Sequence, residues 1–190
     1  LASRRAEIES GELVVFMVDE CHLLWGDICG YVWGKTSERV TIPVLNEREK
    51  QTYYGALDYK TKEFLIYTAK KGDSENTIHF LEYLRSQRPE ANLLIIWDGA
   101  SYHRSQTIKD YLESLNSQRL PEDWLVTCER FAPNAPQQNP VEDIWLQAKR
   151  LIREFSFFCH SFSVVKSLFE LSVHCQIFDF PKLHEYGTFS

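Results

Sequence analysis

The chain has no apolar run long enough to cross a bilayer, which takes about 20 consecutive residues. Its first ten residues, LASRRAEIES, carry no signal-peptide pattern. A surplus of basic residues is missing too. With 27 Asp and Glu against 21 Lys and Arg, the net charge is −6, which argues against a domain that holds nucleic acid through its own charge alone. Methionine is nearly absent. The single one, Met17, lies inside the first apolar run, so an N-terminal part is expected to precede Leu1, with LASRRAEIES as its linker or helix end. The five cysteines are odd in number and sit mostly in apolar surroundings, which points to reduced thiols in an intracellular protein rather than a disulfide framework. Internal repeats and low-complexity tracts are lacking as well. What the chain does have is material for a core. At 44% hydrophobic, with 12 Phe, 9 Tyr and 5 Trp, its 190 residues suit one ordered domain.

Hydrophobic periodicity divides that domain in two. ELVVFMVD (12–19) reads as a strand, followed by the β-prone stretches 28–33 and 39–45 around the turn-like GKTSE. Residues 51–59 and 62–70 flank Lys60-Thr61 as a hairpin. The period then lengthens. Residues 73–87 predict a helix capped by Asp73 or Ser74, with Ile78, Leu81 and Leu84 on one face and Pro89 beyond its end. ANLLIIWD (91–98) is wholly apolar up to its aspartate, as expected of a strand covered on both faces. A helix over 105–115, a strand over 123–131 and the bend APNAPQQNP follow. Helices over 140–155, with Pro140 in the first turn, and 161–176 complete the chain. Antiparallel strands first, then α-β-α-β-α, predict an α/β mixed sheet flanked by helices, with the first strand and the 91–98 strand adjacent at its centre.

Three acids occupy notable places in this scheme. Asp19 (FMVDECH) and Asp98 (LLIIWDGASYH) end apolar strands, and Glu142 (PQQNPVEDIW) sits in a helix's first turn after an Asn-Pro bend. Acids are common at such places as caps and turn formers, so position alone is weak evidence. Ligands nevertheless gather at the carboxyl ends of strands in open α/β sheets. Three carboxylates in one place repel each other, and hard divalent cations relieve that repulsion. The same repulsion predicts that Asp98→Asn is at least as stable as the wild type when metal is absent.

These blocks together resemble the catalytic blocks of DDE transposases of bacterial insertion sequences, in the branch related to mariner elements. The likeness spans about residues 12–155, and the tail FDFPKLHEYG also fits. Asp-x-Ala-x-x-His after an apolar strand, together with Asn-Pro-x-Glu-x-x-Trp before a helix, is a specific combination. The chain departs from the family pattern in having Gly99 where Asn is common, and in the long interval between Asp98 and Glu142. The resemblance implies a ribonuclease H-like fold and a triad of Asp19, Asp98 and Glu142 holding two Mg²⁺ or Mn²⁺ ions. It further implies DNA cleavage at element ends, transfer of the 3′-hydroxyl into target DNA at a TA step, a working homodimer and a bacterial, cytoplasmic, DNA-associated setting. The expected division is a lead-in over 1–11 from an N-terminal helix-turn-helix region, a catalytic domain over 12–155, and a helix and tail over 156–190 packed on the same domain. A basic module upstream would supply the positive charge that this chain lacks.

Several further residues carry weaker signals. His103 is a candidate for phosphate contact, or else a loop histidine capping the next helix; Glu20 should point to the face opposite Asp19 and act from behind. Asp143 competes with Glu142, but adjacent helix residues point about 100° apart and the Asn-Pro-x-Glu context favours Glu142. Trp145 reads as core packing. Lys149, Arg150 and Arg153, with Lys35 and Arg39, are candidate DNA-backbone contacts, against the default of a solvated face. Cys159-His160 and His174-Cys175 have the wrong spacing for zinc. Two rival functions remain open: another ribonuclease H-like nuclease, and a degenerate transposase remnant that binds DNA or a partner without cutting.

Overall fold

The computed structural model describes residues 1–29, 35, 37, 49–131, 139–176 and 178–179. Arg39, the β-prone run 39–45, most of 28–33 and most of the 132–140 bend lie outside the described residues. Five strands form one sheet: β1 (Leu13–Leu24), β2 (Lys50–Asp58), β3 (Phe64–Ala69), β4 (Asn92–Trp97) and β5 (Val126–Arg130). Their order is β3-β2-β1-β4-β5, antiparallel across β3-β2-β1 and parallel across β1-β4-β5. The expected mixed sheet is therefore present, with β1 at its centre and β4 beside it.

Among the described residues, five helices surround the sheet: α1 (Arg5–Ser10), α2 (Ser74–Gln87), α3 (Gln106–Asn116), α4 (Pro140–Glu154) and α5 (Phe162–His174). The segment read as a linker or helix end is α1, closed by Gly11 at φ 90°, a left-handed C-cap where a side chain would be strained. Asp73, not Ser74, caps α2, its carboxylate accepting from the Asn76 N–H at 2.9 Å. Among the described residues, no helix is long and apolar enough to cross a membrane.

The alternation of β1 sorts the core into two layers. Phe16 and Val18 face α2 and α3, packing with Tyr54, Phe80, Leu84, Leu93, Ile95 and Ile108. Met17, Cys21 and Leu23 face α4 and α5, packing with Leu57, Ile144, Trp145, Ile152, Val165 and Phe169. Asp19 thus shares a face with α4, whereas Glu20 shares one with α3.

β1 also corrects an expectation, since it runs five residues past Asp19, to Leu24. Its parallel pairing with β4 stops at Met17–Ile96, while its antiparallel pairing with β2 continues to Leu24–Lys50. The segment ECHLL is held as strand through its pairing with β2. Asp19 is therefore mid-strand, two residues beyond the point where β1 and β4 part. That opening, beyond the carboxyl end of β4, is where the side chains of interest collect.

Candidate metal centre

Asp98 follows β4 directly. Its Oδ1 accepts from the Ala100 N–H at 2.9 Å and lies 3.1 Å from Nδ1 of His103, and its side chain is 53% exposed. The neighbouring His103 is the main cause of a carboxyl pKa below the ordinary aspartate value; partial burial opposes the shift, and the Ala100 N–H reinforces it. The expectation of net repulsion at Asp98 is thereby corrected, because a cation already faces it.

Repulsion falls on Asp19 instead. This partly buried carboxyl is pushed up to about 8, first by burial and then by the charges of Glu20, Glu142 and Asp98. Glu142 is exposed in the first turn of α4 and is also raised, by burial and then by Asp143 and Asp98. The charges of Asp98 and Glu142 thus reach Asp19, and that of Asp98 reaches Glu142, which brings acids from β1, the end of β4 and the start of α4 into one electrostatic neighbourhood.

Three features fix α4 in this position. Asn139 is buried, and its side chain donates from Nδ2 to the Val18 carbonyl at 3.2 Å while Oδ1 accepts from the Val141 N–H at 3.2 Å. One side chain therefore caps α4 and ties it to the residue before Asp19. Pro140 at the first helical position supplies a preset φ. Trp145, a turn further on, is 5% exposed and packs on Gly55, the cross-strand partner of Asp19. A Cβ on Gly55 would lie 2.4 Å from the indole, so only glycine admits this approach. Asn139 and Gly55 escaped sequence reasoning as positioning residues. The Asn-Pro bend was the visible signal for the first; the second had none.

His103 lies on a 3-10 turn, Ser101–Arg104, and is 6% exposed. Its Nε2 donates to Oε1 of Glu20 at 3.2 Å, while Nδ1 meets Asp98 at ion-pair distance but out of line for a full hydrogen bond. Trp97 stacks on the ring with centroids 4.2 Å apart and planes 6° from parallel, and Tyr102 meets its edge at 4.6 Å. Burial opposes the imidazolium, but contacts with Asp98 and Glu20 prevail and carry its pKa up to about 9. Ligand atoms of Glu20, Asp98 and His103 lie within 4.8 Å of one another, close enough for one ion.

The donor chemistry fits a hard divalent cation, since carboxylate oxygens predominate and the partly buried Asp19 is favoured as the neutral acid first by burial and then by neighbouring charges that a cation would offset. The candidate DNA contacts fare unequally. Lys149 is engaged by Asp27 and the His22 carbonyl, both at 3.1 Å, and Arg150 pairs with Glu154 on the exposed face of α4. Arg153 is partly buried, with Nε unpaired among the described residues, and Lys35 is exposed.

Residues 14–161 match the family described as DDE superfamily endonuclease. The chain belongs to that family. No curated protein matches it in sequence. Among solved structures, a chain of the simian T-cell lymphotropic virus intasome in complex with PP2A regulatory subunit B56 gamma superposes with a TM-score of 0.58 at 12% identity. That match covers 93% of this chain but only 55% of the viral one, so this chain spans about half of that relative's length. The HTLV-2 integrase catalytic core domain in complex with magnesium matches in its dimeric form (TM-score 0.50) and its trimeric form (0.52). Both matches are at 13% identity and cover 84% of this chain and 81% of the other. The fold is therefore the ribonuclease H-like fold of integrase catalytic cores.

Proposed function

We propose that this chain is the catalytic domain of a DNA transposase, of the mariner-related branch found in bacterial insertion sequences, that cuts DNA at element ends and joins the freed 3′-hydroxyl to target DNA. The observation that carries the reading is that the charges of Asp98 and Glu142 act on Asp19, and that of Asp98 on Glu142, in a chain of the DDE endonuclease family. Bound Mg²⁺ or Mn²⁺, two ions in this reading, would supply the positive charge that activates the attacking oxygen and stabilises the leaving one.

The chain's own residues do the rest. Asp19, Asp98 and Glu142 hold the cations from three separate elements, so the site closes only when the sheet and α4 are in register. Asp98 is kept ionised by His103, while Asp19 gives up its proton when positive charge arrives. The net charge of −6 leaves phosphate binding to those cations and to a basic partner, in this reading an N-terminal helix-turn-helix region, while a second copy of the chain completes the working dimer. Target joining at a TA step belongs to the same reading.

The test is cleavage of DNA carrying element ends, in Mg²⁺ or Mn²⁺, by the full-length protein and its Asp98→Asn variant. Metal-dependent cleavage by the wild type, reduced on the order of a thousandfold or more in the variant, is expected. Cleavage that survives the substitution would remove Asp98 from the site. No cleavage by either protein would favour a copy that binds DNA without cutting.

A further inference from the structure

Glu20 sits at the opening on the face of β1 opposite Asp19. It lies on the α2 and α3 face of β1, its side chain 7% exposed, and its cross-strand neighbour is Tyr54. A buried carboxylate is costly without partners, and Glu20 has two, the Nε2–H of His103 at 3.2 Å and the phenol of Tyr102. Tyr102 is held in its turn, its hydroxyl packed 3.4 Å from where a Cβ on Gly72 would lie. His103 is fixed from four sides: Trp97 beneath, Tyr102 at the edge, Glu20 at one nitrogen and Asp98 at the other. Nε2 donates to the Glu20 carboxylate, so that nitrogen is taken, and Nδ1 faces Oδ1 of Asp98 at 3.1 Å. Glu20, Asp98 and His103 are close enough to hold one ion, but the His103 ring itself stands between the two acids.

We propose that Glu20 is a positioning residue for metal binding: it anchors His103, which sets the orientation of Asp98 and occupies its Oδ1. Both contacts to Asp98, from Ala100 and from His103, fall on Oδ1. Among the described residues Oδ2 makes no such contact, which makes it the oxygen Asp98 presents to a cation. Asp98 is half exposed and directly follows the last residue of β4, so without this chain its carboxylate would be held by the Ala100 N–H alone. The inference rests on Asp98 as a metal ligand and adds a residue from the opposite face of the sheet to the machinery that prepares it. A partner that orients a metal ligand in this way changes metal affinity by roughly ten- to a hundredfold.

The test measures Mn²⁺ affinity by electron paramagnetic resonance for the full chain and for Glu20→Gln, His103→Gln, the Glu20→Gln/His103→Gln double variant and Asp98→Asn. Near-ultraviolet circular dichroism, to which Trp97 and the other packed aromatic side chains contribute, checks that each variant is folded. Glu20→Gln keeps the size of the side chain and an acceptor oxygen, which favours a folded variant. About tenfold weaker Mn²⁺ binding is expected for Glu20→Gln, with no further loss when it is added to His103→Gln. The same loss in both backgrounds would mean that Glu20 acts on the ion directly, through its charge or as a ligand, and would overturn the proposal. So would unchanged affinity in Glu20→Gln. Wild-type protein that bound Mn²⁺ no better than Asp98→Asn would sink the metal assignment itself, and the role of Glu20 with it. The Asp98→Asn arm therefore separates failure of the site from failure of this inference.

Discussion

Asp19 carries the electrostatic tension of the site. A free aspartate ionises near 3.8, and here burial and three neighbouring acids raise Asp19 to about 8. Between those values the folded protein keeps a proton that the unfolded chain has released, so stability is lost as pH rises from about 4 to about 8. His103 has the same sign at higher pH. Its contribution is complete below about 6.5 and fades as pH climbs through about 9. Comparing Asp19→Asn with the wild type isolates the first effect, because both proteins keep the histidine. In metal-free urea unfolding at pH 5 and pH 8, the wild type is expected to lose more stability between the two than Asp19→Asn. The variant should be the more stable at pH 8, and Mg²⁺ should flatten the wild-type slope by favouring the charged carboxylate. Parallel pH dependences would mean that Asp19 is neither buried nor crowded as described.

At the scale of elements, the site depends on how α4 is seated. Asn139 caps the helix and holds the Val18 carbonyl, and Trp145 locks onto Gly55 one turn later. Asn139→Ala removes both bonds and leaves a buried carbonyl without that partner, which should cost about 1–3 kcal/mol. Gly55→Ala drives a methyl group into the indole and should cost a similar roughly 1–3 kcal/mol by overpacking. Both variants are also expected to weaken Mn²⁺ binding by shifting Glu142, although neither residue can touch an ion. Urea unfolding together with a Mn²⁺ titration checks the pair, and a destabilised variant with full Mn²⁺ affinity would separate the seating of α4 from the site. These elements also show where sequence is legible. The apolar run before Asp98 and the Asn-Pro pair before Glu142 are local signals, and both acids stand where those signals place them. The extent of β1 is not local, because ECHLL is strand only through pairing with β2. Nor is the pairing of Glu20 with His103, whose positions are 83 apart in sequence and meet only after β1 and β4 align. The seat of Trp145 was legible as core, but its partner was not, since nothing local distinguishes Gly55 from a glycine in any strand.

Across the whole molecule, two helical layers bury both faces of the sheet and leave its chemistry at one end, where β1 outruns β4. Asp19 reaches that opening from the α4 side and Glu20 from the α3 side, and Asp98 lies between them at the end of β4. The acidic net charge fits the proposed function, in which the opening gathers cations before it meets a phosphate. A cation at this opening has two sets of residues that could hold it. One is Asp19, Asp98 and Glu142, and the other is Glu20, Asp98 and His103. Anomalous diffraction from crystals soaked in Mn²⁺ decides between them most directly. The expected result is a peak coordinated by Asp19 and Asp98 on the Glu142 side, with His103 still bound to Glu20. A peak coordinated by a His103 nitrogen and Glu20, or none near Asp19, would contradict the triad and the function built on it.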